Sequence, residues 1–74
     1  MEQSQMERIL EAILFASGER MELARLAAAM EADEDEVERA AEALADRLAF
    51  ERRGIRVLRL ERGYQMVSSG EMAD

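Results

Sequence analysis

The chain has 74 residues and a formal net charge of −7, and it contains neither cysteine nor histidine. This length predicts one small domain over residues 1–74. A chain of this size buries only about 60% of its unfolded surface, so its core is small. The missing cysteines exclude a disulfide framework and a thiolate metal site. No apolar run reaches the roughly 18 residues of a membrane span, and the start MEQSQMER lacks the features of a signal peptide. The sequence therefore predicts a cytoplasmic protein without membrane contact.

The first predicted helix covers residues 5–16. Ser4 and Glu7 have the spacing of a capping box at its start, and Gly18 follows its end. Phe15 falls nearly opposite the apolar stripe, so it is either covered by the rest of the chain or left for a partner. The predicted core stripe consists of Met6, Ile9, Leu10, Ile13 and Leu14.

Two further helices are predicted at residues 23–30 and 34–53, and the short connection between them indicates a helix-turn-helix. The longer helix should begin at a capping box formed by Asp33 and Glu36. It should end at its two terminal arginines, with Gly54 in the left-handed conformation. Its apolar stripe consists of Val37, Ala40, Ala41, Leu44 and Leu48.

This third helix occupies the position of a DNA recognition helix, but its charge opposes that role. Residues 33–49 contain seven acidic side chains and two arginines. Such a helix is repelled by the phosphates that line a major groove. The arrangement of the helices suggests DNA binding, and the electrostatics argue against it.

After Gly54 the apolar period changes from about 3.6 residues to about 2, which predicts strands at 55–60 and 64–68. The loop 61–63 between them fits a three-residue hairpin turn with Gly63 in the left-handed position. The predicted fold is α+β and mostly helical: a winged helix-turn-helix with three helices followed by a two-stranded wing. One wing face should cover the helices, and the other should remain apolar and free. The alternation leaves open whether Ile55 and Val57 or Leu58 and Leu60 face outward, with Tyr64 or Met66 opposite.

Enzymatic chemistry is not predicted. Because histidine, cysteine and lysine are all missing, the chain has no Ser-His or Cys-His pair, no Schiff-base nucleophile and no phosphate-loop lysine. We expect no cofactor and no small-molecule substrate. Glu38, Glu42 and Asp46 lie at i, i+4 spacing and could hold a divalent cation, but a solvated helix face is the favoured interpretation.

A cluster of arginines near the wing supports an alternative function. A basic wing can follow phosphates or enter a minor groove, as in a small DNA-binding transcriptional regulator. Such binding should be weak and sensitive to salt. The competing interpretation is that Arg52 and Arg53 complement the helix dipole, while the other arginines offset the acidic helices or form salt bridges with a partner. The cluster consists of Arg52, Arg53, Arg56, Arg59 and Arg62.

Two segments carry a family resemblance. LEAILFASGE at residues 10–19 resembles the opening of bacterial segregation and condensation protein B, and residues 54–67 resemble the wing of its first winged-helix domain. The acidic helix between them matches in placement, so the resemblance covers roughly residues 6–70. The family usually has proline where Arg20 stands and a better helix cap near Glu22. It also carries a second winged-helix domain that this chain lacks, so an excised domain or a truncated relative is expected.

The resemblance implies a non-enzymatic protein of chromosome partition. Members of the family dimerise, largely through this domain. As dimers they bind the kleisin, segregation and condensation protein A, and through it the structural-maintenance-of-chromosomes ATPase. This condensin-like complex acts on the nucleoid in the bacterial cytoplasm, and direct DNA binding by this domain is expected to be weak or absent. On this interpretation the dimer or partner interface draws on Phe15, Ile55, Val57, Leu58, Leu60, Tyr64 and Met66.

Overall fold

The computed structural model describes residues 2–51 and 54–68. Within these residues, three helices pack against an antiparallel sheet with strand order β1-β3-β2. The predicted winged helix is confirmed, and a short strand that was not predicted, β1, adds a third member to the sheet. The elements are α1 (Gln3–Ser17), β1 (Met21–Glu22), α2 (Leu23–Met30), α3 (Glu34–Phe50), β2 (Ile55–Leu60) and β3 (Gly63–Ser68).

The predicted capping box at the start of α1 is wrong. The helix begins two residues early, and Glu2 is its N-cap residue without a side-chain cap bond. The Ser4 hydroxyl donates to the Glu2 carboxylate at 3.5 Å instead. Glu7 does not reach back to the helix start, because its carboxylate lies in the contact with α3 and accepts a hydrogen bond from Arg47 at 2.9 Å.

The helices α1 and α2 both end in a left-handed residue. Gly18, with φ 65°, has this role after α1 as predicted, and Glu31, with φ 53°, has it after α2. The N–H of Glu31 donates to Ala28 at 3.2 Å, and the N–H of Ala32 donates to Ala27 at 3.0 Å. This pair of bonds is a Schellman motif, in which glycine is the usual left-handed residue.

The start of α3 is confirmed and its end is corrected. The Asp33 N–H donates to the Glu36 carboxylate at 3.1 Å, and the side chain of Asp33 accepts in return from the backbone of Glu36. The helix ends at Phe50, with Glu51 as its C-cap residue, because the chain must leave the helix to enter β2. Gly54 does not take the predicted left-handed conformation. Arg52 and Arg53 lie outside the described residues.

The wing turn also differs from its prediction. Leu60 pairs with Gly63, so the loop has two residues and the left-handed one is Arg62, with φ 57°. Gly63 is instead required by space: a Cβ there would lie 2.8 Å from the Met21 carbonyl oxygen. The close approach of β1 explains this requirement, since Glu22 pairs with Gly63.

The core lies between the three helices and one face of the wing. The predicted stripe of α3 is completely buried. In α1 the stripe is narrower than predicted, because Ile9 lies on its flank and is 38% exposed while Ile13 is half-buried. The buried apolar residues are Met6, Leu10, Leu14, Leu26, Ala27, Met30, Val37, Ala40, Ala41, Leu44, Ala45, Leu48, Val57, Tyr64 and Met66.

Candidate interaction surfaces

The wing uses one face for the core. Val57 pairs with Met66 across the hairpin, and both are buried together with Tyr64. Ile55 is half-buried and packs on the edge of the core. The structure thus answers the question that alternation left open, because Ile55 and Val57 face the helices. Of the predicted interface residues, Val57, Tyr64 and Met66 lie in the core rather than on the surface.

The opposite face of the wing, which we call the outer wing surface, consists of Leu58, Leu60 and Val67. Successive side chains of a strand point to opposite faces, so these residues lie away from Val57 and Met66. All three are partly exposed. Val67 was not among the predicted interface residues, although alternation along β3 places it on the same face as Leu58.

A second apolar surface lies on α1. Phe15 is 71% exposed, and Ile9, Ala12 and Ala16 are also exposed on the side of the helix that faces away from the core. We call these four residues and Arg8 the outer surface of α1. A shallow depression of about 370 Å³ lies on it, lined by Arg8, Glu11, Ala12, Phe15 and Ile55.

Phe50 is a second exposed aromatic residue of the described chain, and the sequence analysis did not identify it. It is 89% exposed in the last turn of α3. Its helical position lies opposite the buried stripe of α3, and this signal was present in the sequence. Arg47 of α3 contacts Glu11 of α1 at 3.5 Å, and Phe50 and Phe15 lie three and four residues further along their own helices.

An ion pair joins α1 to α3 beside these surfaces. The Arg47 guanidinium lies 2.9 Å from the Glu7 carboxylate and 3.5 Å from that of Glu11. The Glu7 side chain is only 11% exposed. A carboxylate at this depth needs a hydrogen-bonded cation, and Arg47 supplies it.

Two of the described arginines of the wing, Arg59 and Arg56, contact this chain itself. Arg59 pairs with Glu42 at 3.1 Å and with Asp46 at 3.9 Å, both on the acidic helix α3. Arg56 donates to the backbone carbonyls of Leu48 and Ile55. Arg62 is exposed at the wing tip. These contacts neutralise part of α3 and reduce the basic surface available to a nucleic acid.

Two of the three carboxylates considered for a cation, Glu42 and Asp46, are thus engaged by Arg59. Within residues 2–51 and 54–68 there is no group of three acidic, histidine or cysteine side chains placed to hold a metal ion. Burial raises the pKa of Tyr64, and the negative charges of Glu38 and Glu42 raise it further, while Arg59 lowers it. The Tyr64 phenol is therefore neutral at the contact between the sheet and the acidic face of α3.

The described helices are all too short or too polar to cross a membrane.

The fold and surfaces together define a class: a winged-helix domain with an acidic recognition helix and exposed apolar surfaces suited to protein contacts. Comparison with known proteins gives the family. The family model of the segregation and condensation complex subunit ScpB matches residues 8–74. The chain belongs to this family, which confirms the resemblance found in the sequence.

Relatives and solved structures agree with this assignment. Segregation and condensation protein B of Lachnoclostridium phytofermentans is 35% identical over 72 residues, which is 97% of this chain and 38% of that protein. The crystal structure of a dimer of the ScpB N-terminal domain complexed with an ScpA peptide matches with TM-score 0.83 and 30% identity, over 92% of this chain and 85% of that one. ScpB from Mycobacterium tuberculosis matches with TM-score 0.87 and 25% identity, over 97% of this chain and 45% of that one. The chain thus spans 38% of the length of its curated relative.

Proposed function

We propose that this chain is a dimerising, non-catalytic interaction domain of segregation and condensation protein B. It acts with the kleisin ScpA, and through it with the structural-maintenance-of-chromosomes ATPase, in chromosome condensation and segregation. It is a cytoplasmic domain that reaches the nucleoid through this complex. The part of the family protein to which it corresponds is the N-terminal winged-helix domain, whose dimeric structure it matches along most of both chains.

The observation that carries this proposal is the exposure of Phe15. A phenylalanine 71% exposed on a helix, beside exposed Ile9, is the kind of large apolar side chain that anchors protein interfaces. The domain buries a complete core without it, so core formation does not account for this side chain. Support also comes from the matching structure, which is a dimer with a bound ScpA peptide.

The two apolar surfaces provide contact area for two partners. The outer surface of α1 and the outer wing surface lie on different elements, so one copy of the chain and one kleisin segment can bind together. We assign contact roles to Phe15, Leu58 and Leu60, with Ile55 at the edge of the first surface. Val57, Tyr64 and Met66 support the wing from its buried face.

A non-catalytic role fits the residue inventory. The chain offers no histidine, cysteine or lysine to act as nucleophile or base. Its carboxylates are mainly on the solvated faces of the helices, where they keep the protein soluble and oppose nonspecific nucleic-acid binding.

The experiment that tests this proposal combines molar mass and peptide binding. Light scattering on a size-exclusion column, over about a hundredfold range of concentration, should give twice the chain mass of 8.4 kDa at the upper end. Calorimetric titration with the ScpA segment from the same genome should then show saturable binding. A monomer at every concentration that also fails to bind the segment would contradict the proposed function.

A further inference from the structure

The turn of the wing is bound to the connector between α1 and α2 at three consecutive residues. The Glu61 carbonyl accepts a hydrogen bond from the Arg20 guanidinium. The Arg62 carbonyl accepts one from the Leu23 N–H at 2.8 Å. The third residue, Gly63, pairs with β1. We call these three interactions the wing-tip contacts, and they hold the part of a hairpin that is usually the least ordered.

The wing-tip contacts also complete the start of α2. Leu23 is the first residue of this helix, and its N-cap residue Glu22 forms no side-chain cap bond. The first N–H groups of a helix have no partner within the helix and must find one elsewhere. The Arg62 carbonyl is the partner of the Leu23 N–H. Movement of the wing tip away from the connector therefore breaks a bond of α2 as well.

The wing-tip contacts fix one end of the outer wing surface. Leu60 of this surface directly precedes Glu61 and pairs with Gly63. Tyr64, which pairs with Arg59, is the last core side chain of β3 before the turn residues and Gly63. Leu60 lies one row beyond Tyr64 and on the opposite face of the sheet. Its position therefore depends on the wing-tip contacts more than on the core.

We propose that Arg20 is a positioning residue for partner binding at the outer wing surface. It holds the wing tip so that Leu60 already has the orientation in which the partner contacts it. A surface that is ordered beforehand loses less conformational entropy on binding, and its affinity is higher for that reason. This inference rests on the proposed function and adds to it a residue that acts through Leu60.

The occupant of the outer wing surface is the ScpA segment rather than a second folded domain. The three apolar side chains of this surface are only partly exposed. A stable interface between two domains buries roughly 800 Å² on each partner. Three partly exposed side chains provide far less, whereas a short segment needs only a few anchoring contacts.

Amide hydrogen exchange tests the wing-tip contacts. The Leu23 amide exchanges when its bond to the Arg62 carbonyl opens, so its rate reports on the position of the wing tip. Arg20→Gln should speed this exchange at least about threefold, and the Val37 amide at the start of α3 should keep its rate. Arg25→Gln removes the same charge from an exposed site on α2 and should change neither rate. An unchanged Leu23 rate in Arg20→Gln would overturn the positioning role.

Calorimetric titration with the ScpA segment tests whether Arg20 acts through Leu60. Arg20→Gln should raise the dissociation constant about three- to tenfold. Arg20→Lys should regain most of this loss, because an ammonium group can also donate to the Glu61 carbonyl. Leu60→Ser should weaken binding at least about tenfold, and adding Arg20→Gln to it should cause little further loss. Additive losses would mean that Arg20 contacts the segment itself, and they would overturn the inference.

The outcomes separate this inference from the function on which it rests. A wild-type chain that remains monomeric and does not bind the ScpA segment overturns the proposed function. Wild-type binding that is equally tight in Leu60→Ser places the segment on another surface and overturns the role of Arg20 alone. Circular dichroism melting verifies that all variants are folded, and Arg25→Gln should bind the segment as tightly as wild type.

Discussion

Glu7 shows how one residue can be suited to two roles. Its spacing from Ser4 fits a capping box, yet its carboxylate is buried against α3 and paired with Arg47 at 2.9 Å. The local bond would satisfy one backbone donor, whereas the long-range ion pair joins two helices. Sequence spacing shows only the first possibility, because Arg47 lies far away in the sequence.

Removing Arg47 should therefore be more destabilising than removing Glu11, the more exposed of its two partners. Arg47→Gln leaves the Glu7 carboxylate without its cation and should lower the free energy of unfolding by about 1–2 kcal/mol. This range is set below the usual loss for a buried pair, because the Arg47 side chain is 37% exposed and partly screened by solvent. Glu11→Gln should cost less than about 0.5 kcal/mol, since that contact is longer and more exposed.

Urea denaturation at neutral pH measures these differences. Arg39→Gln provides the control, because Arg39 is an exposed arginine of the same helix. The pair Glu7→Gln and Arg47→Gln together should recover part of the loss, since no buried charge then remains. Equal effects of Arg47→Gln and Arg39→Gln would show that the ion pair does not stabilise the domain.

The three aromatic residues illustrate what residue patterns can predict. Helical spacing correctly placed Phe15 away from the core stripe. The same rule applied to Phe50 would have identified its exposure. Tyr64 could not be placed by pattern, because both faces of the wing carry apolar side chains and only packing on the helices distinguishes them.

At the scale of elements, the start of α2 depends on distant contacts. The Leu23 N–H donates to the Arg62 carbonyl at 2.8 Å, and the Arg20 guanidinium donates to the Glu61 carbonyl. The connector after α1 is thus bound to the wing turn. The sequence predicted the helix 23–30 correctly but gave no sign of β1, because two residues are too few to show a period. The Arg20 side chain thus fixes the connector by a hydrogen bond.

The end of α2 offers a stabilising substitution. Glu31 has φ 53° in a Schellman motif, a conformation that costs a residue with a Cβ about 1–2 kcal/mol. Its negative charge also lies at the negative end of the helix dipole. Glu31→Gly should raise the free energy of unfolding by about 0.5–1 kcal/mol, after subtracting the greater entropy of glycine in the unfolded chain.

Ala29→Gly is the control for Glu31→Gly. Ala29 is exposed in the helical part of α2, so glycine there should lower the free energy of unfolding by about 1 kcal/mol. Opposite signs for the two glycine variants in thermal and urea denaturation would confirm that the left-handed backbone is the cause. A loss of stability in Glu31→Gly would mean that the Glu31 side chain makes a stabilising contact in solution.

At the scale of the whole molecule, periodicity and turn residues predicted the order of the helices and the wing. The apolar stripe of α3 and its capping box were both correct, since both depend on local spacing. The candidate interface was less predictable, because a residue's exposure depends on which elements pack over it. Only Phe15 among the aromatic interface residues is on the surface, while Leu58 and Leu60 could be assigned only once Val57 was seen to be buried.

The distribution of charge over the whole domain determines its affinity for DNA. The chain carries net charge −7, and its helix in the recognition position is acidic along its exposed face. Arg59, which could have reached phosphate, is paired with Glu42 and Asp46. We therefore expect the wild-type domain to bind duplex DNA no tighter than about micromolar, and to lose that binding at moderate salt.

Neutralising the acidic face of α3 should reveal whether repulsion of the DNA phosphates causes the weak DNA binding. The combined substitutions Glu38→Gln, Glu42→Gln and Asp46→Asn remove three negative charges and release Arg59 from its ion pairs. This variant should bind duplex DNA at least about tenfold more tightly than wild type at low salt, with a steeper dependence on salt concentration. Adding Arg59→Gln to it should reverse part of the gain, because the released guanidinium would then be missing. Fluorescence anisotropy with a labelled duplex at two salt concentrations measures all three proteins. Wild-type binding tighter than micromolar that survives moderate salt would show that the acidic helix does not prevent DNA contact.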